Sequence, residues 1–296
     1  MNTTRDASTK TTSTLIDHIV RTELRVGDIE RSLGFYRDVV GLEEAERTDA
    51  SVSLRAPNGP VILTLASDGV TGPADPSATG LYHVAIRFPS RPALGDALAR
   101  LVAANFQIGA GDHGVSEALY IDDPDGNGVE LYRDRPVEEW PAPEGDALVG
   151  MTTGPVDLQG VLDEGTGRDV VEASAAEGTD IGHVHLQVAD VDATAAFYVE
   201  ELGLDLTQMF GGSAAFLSSN GYHHHIGANT WNSRNGSPAA RDRAGLDRIV
   251  FATREADRLE HVRLRLVAHG RRPEGDENQS LVVRDPDGIE LRFIVQ

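Results

Sequence analysis

"LRVGDIERSLGFYRDVVGLE" (residues 24–43) returns 162 residues later as "LQVADVDATAAFYVEELGLD" (186–205). Each copy leads from a short apolar stretch through an aspartate into a helical pattern that ends at Gly-Leu. In the first copy Asp28 is placed to accept first-turn N–H groups as an N-cap, and Gly41 to end the helix. A second pair, "DDPDGNGVELY" (122–132) and "RDPDGIELRF" (284–293), carries DPDG turns that are also 162 residues apart. The chain is therefore a duplication, with halves at 15–135 and 181–296, and each half divides once more. Residues 19–68, 80–135, 181–231 and 245–296 each open with a β-branched run and continue as a helical pattern. Each then ends in two or three strands separated by Gly and Asp turns. Residues 1–14 read as a disordered tail. Residues 136–180, rich in Pro, Gly and acid, read as a connector with one short helix.

Composition narrows the chemistry. With no cysteine, a metal would have to be held by His, Asp or Glu. A formal net charge of −21 argues against nucleic acid, whose phosphates would be repelled. Lys10 is the only lysine among 26 basic residues, and dense carboxylates with so little lysine suggest a halophile's protein. No apolar run approaches a bilayer span, and the N-terminal stretch lacks the apolar segment of a secretory signal. The expectation is a cytoplasmic protein with no membrane partner.

Four βαβββ units with the pattern "D-I-E-R-S-L-G-F-Y-R-D-V-V-G-L" and the DPDG ending resemble the vicinal oxygen chelate superfamily. Glyoxalase I, extradiol dioxygenases and bleomycin-resistance proteins are members. The resemblance implies an α+β fold in which units pair into two cupped mixed β-sheet domains, with ligands drawn from the first and last strands of a unit. At those places unit one offers Arg21 and unit four Arg248, and a guanidinium cannot bind a cation. Unit two offers His83 and Glu130, and unit three offers His183. Two histidines and one carboxylate have the composition of a facial triad, which suits non-heme Fe(II), with Mn(II) as the alternative. The expectation is that units two and three share the metal cup while one and four pair as a structural partner. Pairing within one chain and pairing between subunits of a homo-oligomer both remain open.

"GYHHHIG" (221–227) reads as part of a strand, and alternation would set His224 against His223 and His225. Together with "GDHGVSEALYIDDPDGNGVELYRDRPVEEW" it resembles the CatE-like catechol 2,3-dioxygenase branch. That resemblance implies catalytic roles for His224, Tyr120 and His113, with a catechol-type aromatic substrate and O2 as partners. His185, on the same strand face as His183, is expected to line the cup without binding the metal. Two alternatives stand beside this reading. A glyoxalase-type lyase or isomerase would use Ni(II) or Zn(II) and a second glutamate from unit three. A bleomycin-resistance-type binding protein would need no metal.

Overall fold

The computed structural model describes residues 13–167, 174–276 and 279–296. The expected tail therefore lies almost wholly outside the described residues, as does the stretch 168–173 of the connector. Unit one contains β1 (His18–Arg25), β2 (Glu43–Arg47), β3 (Ser51–Arg55) and β4 (Val61–Ala66); unit two contains β5 (Gly80–Arg87), β6 (Gly109–Asp112), β7 (Ser116–Asp122) and β8 (Gly128–Asp134). Unit three contains β9 (Asp180–Gln187), β10 (Asp205–Phe210), β11 (Ala214–Ser218) and β12 (Ile226–Asn229). Unit four contributes β13 (Gly245–Thr253), β14 (Ser280–Arg284) and β15 (Glu290–Val295).

Pairing crosses the sequence halves as expected. β5 runs antiparallel to β9, and β1 antiparallel to β13, so units two and three form one cup and units one and four the other. A single bridge, Ile19 to Ile181, joins the two cups into one continuous mixed sheet. Units two and three pair within a single chain.

The first repeated motif forms a helix that widens at its end. α1 (Ile29–Gly34) is capped by the Asp28 carboxylate, which accepts from Arg31 N–H, and runs into a π turn over Phe35–Val40. Gly41 closes it at φ 94°, a conformation that favours glycine. α4 (Val191–Ala196) repeats the plan with Asp190 as cap and Gly203 at φ 86°. The two repeated motifs also touch. Tyr36 of the first motif donates to Asp123 in the DPDG turn of unit two, and Tyr198 donates to Asp285 in that of unit four. Each turn is thus tied to the helical segment of the preceding unit.

Strand alternation divides the sheet into a core face and a cup face. Val84, Ile86, Leu119, Ile121, Val129, Leu131, Val184 and Leu186 enter the main core with the helices α2 (Arg91–Ala103) and α5 (Ala256–Ala268). The intervening residues of the same strands face the cup, where Ala85, Ala118 and Tyr132 make a small cluster with Tyr120. The connector has the expected short helix, α3 (Leu158–Asp163), after a single 3-10 turn at Val137–Glu139. It is more than a linker, however. Met151 exchanges two hydrogen bonds with the Gln208 side chain, and Asp112 bridges Gly154, so this stretch closes one side of the cup.

Candidate metal centre

His83 on β5, His183 on β9 and Glu130 on β8 occupy cup-facing positions and converge, with one donor atom of each within 4.8 Å of the others. His183 Nε2 lies 3.1 Å from Glu130 Oε2. His83 Nε2 lies 2.8 Å from the same oxygen, yet it has no hydrogen-bond partner among the described residues. All three side chains are buried. Burial opposes the charge on Glu130, but the two imidazoles outweigh it and hold the carboxyl well below the usual range. Burial pushes His183 down to about 4 against the pull of Glu130, so its lone pair is free of a proton at neutral pH. Two imidazoles and one carboxylate, aimed at a common point with a nitrogen unpartnered among the described residues, fit a divalent cation.

The three donors open onto a cavity of about 370 Å³, within the range of small-molecule sites. Its walls come from both units and the connector: Tyr82, Val115, Tyr120, Met151, Phe210, Phe216 and Trp231 are among them, with no Arg or Lys among the described residues. His113, Tyr120 and His224 all line it. His113 Nδ1 is 3.1 Å from the Thr152 carbonyl, which can only accept. His113 Nε2 lies 2.7 Å from the Tyr120 hydroxyl, so the histidine fixes where that hydroxyl sits in the cavity. Burial, reinforced by Glu130, raises the Tyr120 pKa well above its ordinary value.

The histidine triplet departs from the strand expected of it. β12 begins only at Ile226, and residues 221–225 are irregular. The two-residue alternation consequently fails for His223 and His224, whose Nδ1 atoms lie 2.8 Å apart. His224 faces the cavity, its ring centroid 4.1 Å from that of His183. His223 lies behind it against Asp134, and His225 turns away to Ser218 and the Ser219 N–H. His185 lines the cavity outside the three-donor group, with its Nε2 unpartnered among the described residues. The connector residues Met151, Thr152 and Thr153 carried no sequence signal for a place in the cavity wall.

The β5–β9 register explains why a fourth ligand is missing. His83 faces His185 and Ala85 faces His183, so the approximate two-fold relation between the units exchanges His83 with His183 and Ala85 with His185. Glu130 lies beside Ala85 on β8, and Gly227 lies beside His185 on β12. Gly227 thus holds the place of a second glutamate. A Cβ there would come within 2.8 Å of the His185 ring.

In the other cup an arginine fills the equivalent position. Arg248 Nε is 2.7 Å from Glu290, and its Nη1 is 3.5 Å from Glu23, which also pairs with Arg21 at 3.2 Å. The guanidinium of Arg248 supplies the positive charge there, so that cup holds its carboxylates together without a metal.

Residues 15–131 and 180–293 match the family model of the Glyoxalase/Bleomycin resistance protein/Dioxygenase superfamily. Over 282 residues the chain is 42% identical to a Bacillus subtilis (strain 168) protein named catechol-2,3-dioxygenase, covering 94% of this chain and 97% of that one. Among solved structures, a putative dioxygenase from Bacillus subtilis subsp. subtilis str. 168 superposes with a TM-score of 0.62 at 16% identity, over 96% of this chain and 86% of that one. Glyoxalase I from Zea mays superposes with a TM-score of 0.55 at 16% identity, over 94% and 92%. At such identity these structures speak for the fold alone. The repeat, the cross-paired cups and the family match lead to one conclusion: the chain belongs to the glyoxalase/bleomycin resistance protein/dioxygenase superfamily.

Proposed function

We propose that this protein is an extradiol dioxygenase that opens a catechol-type ring with O2 at a non-heme Fe(II) held by His83, Glu130 and His183. The convergence of those three donors at the base of an apolar cavity carries the reading. The 42%-identical relative, named catechol-2,3-dioxygenase, supports the reaction class, and Fe(II) rather than Mn(II) is the finer part of the proposal.

When bound, the iron would lower the pKa of a catechol hydroxyl and bring substrate and O2 together. The protein's own contribution begins with the cavity walls. Tyr82, Phe216 and Trp231 line the cavity and offer aromatic surface against which a substrate ring can pack. His224 takes the proton of the substrate's second hydroxyl and later returns it to a developing oxygen anion. Its burial beside His183 and His223 holds its pKa well below the ordinary histidine value, so it enters the reaction neutral. Tyr120, oriented by His113, hydrogen-bonds the substrate.

The glyoxalase-type alternative loses support at Gly227, which offers no carboxylate where a second glutamate would be required. A metal-free binding protein would have no use for three buried donors around one point.

Anaerobic loading with Fe(II) in concentrated KCl, followed by catechols and air, should yield a yellow ring-opened product. His83→Ala, Glu130→Ala and His183→Ala should lose bound iron and product together while keeping the fold. Bound iron with no product from any of a panel of catechols would refute the dioxygenase reading. Absence of bound metal would refute the three-residue site.

A further inference from the structure

Behind the cavity wall, a polar chain leads from buried His224 through buried His223 to half-buried Asp134. His224 Nδ1 lies 2.8 Å from His223 Nδ1, and His223 Nε2 lies 2.8 Å from Asp134 Oδ1. Asp134 Oδ2 accepts from the Tyr222 hydroxyl at 2.9 Å and from Arg87 Nη1 at 3.0 Å. The Arg87 guanidinium is anchored independently by Asp180, at 2.9 and 2.7 Å.

These partners decide the hydrogen positions. A carboxylate only accepts, so His223 Nε2 carries the proton. In the neutral ring, which has one N–H, His223 Nδ1 is then bare and accepts. His224 Nδ1 then donates, which leaves His224 Nε2 with its lone pair and no partner among the described residues. We infer that Asp134 and His223 are positioning residues that hold His224 in the tautomer whose bare Nε2 serves the cavity. His224 can then only accept the first proton from the substrate. The catalytic consequence rests on the reading of His224 as the cavity base, but the tautomer does not.

Asp134→Asn tests this at nearly constant shape. Arg87 and Tyr222 both donate and so claim the amide oxygen, leaving the NH2 group against His223 Nε2. His223 must then accept at Nε2 and donate from Nδ1, which forces His224 to accept at Nδ1 and carry its proton on Nε2. The same substitution logic applies wherever a carboxylate orients a catalytic histidine. We expect kcat to fall roughly 10²-fold, the lower end of general-base contributions, with KM and iron content unchanged. Ring-nitrogen 15N spectra of the Zn(II)-loaded protein, with His224 assigned by His224→Gln, should show a bare Nε2 in the wild type and a protonated one in Asp134→Asn. A protonated His224 Nε2 in the wild type would overturn the inference, as would an unchanged kcat in Asp134→Asn. Should the wild type open no catechol, the spectra still decide the tautomer, so the two readings fail separately.

Discussion

Asp285→Asn should make the protein more stable at alkaline pH, and the gap should shrink as the pH falls. Asp285 is buried in the second DPDG turn, where Oδ1 accepts the N–H groups of Asp287 and Ile289 at 3.0 and 2.9 Å. Tyr198 donates to Oδ2 at 3.3 Å. Burial, only partly offset by the Ile289 N–H, raises its pKa from 3.8 to about 7. Because the folded value is the higher one, the contribution to stability is fully present below the unfolded value. It is lost as the pH rises through about 7. A shift of about three units at about 1.4 kcal/mol each is worth about 4 kcal/mol in all, of which about 2.5 kcal/mol falls between pH 5 and pH 8. Asparagine keeps the Oδ1 acceptor, never ionises, and places its amide against a hydroxyl that can accept. Urea unfolding of both proteins at pH 5 and pH 8, at fixed KCl, measures the change in the gap directly. A gap that is the same at both pH values would refute the reasoning. Asp123→Asn is the control: its Oδ2 accepts not only from Tyr36 at 3.1 Å but also from Asn127 Nδ2 at 2.9 Å, so an amide NH2 there meets another NH2 and should destabilise at either pH.

Two further outcomes follow from the same structure. Gly227→Ala pushes a methyl into the His185 ring; we expect KM for a catechol to rise several-fold while iron content, measured by metal analysis, is retained. The surface charge behind the −21 total should make the thermal midpoint climb with KCl through screening, and a midpoint independent of KCl between low and molar salt would remove the case for a halophilic protein.

The four-unit plan was legible in the sequence because it rests on local signals. Asp28, Gly41 and the DPDG turns impose caps and turns through their own backbone chemistry, and repetition at one spacing exposes the duplication. The candidate donors were legible through the resemblance, which points to the first and last strands of a unit, where His83, Glu130 and His183 stand. The arginines at 21 and 248 also reported which cup could not hold a cation, since charge type is a property of the residue itself. Other features depended on packing between distant segments. The irregular backbone of the triplet escaped prediction because a turn ahead of β12 breaks the alternation, and the partners of His223 and His225 depend on Asp134 and Ser218 reaching them. Gly227 acquires meaning only from the β9–β12 register, and Met151 to Thr153 only because a polar, loop-rich segment folds back over the cup. A sequence lists the donors and acceptors of each residue, whereas the direction of each hydrogen bond, and with it the tautomer of His224, is set by which groups the tertiary fold brings within 3 Å of one another.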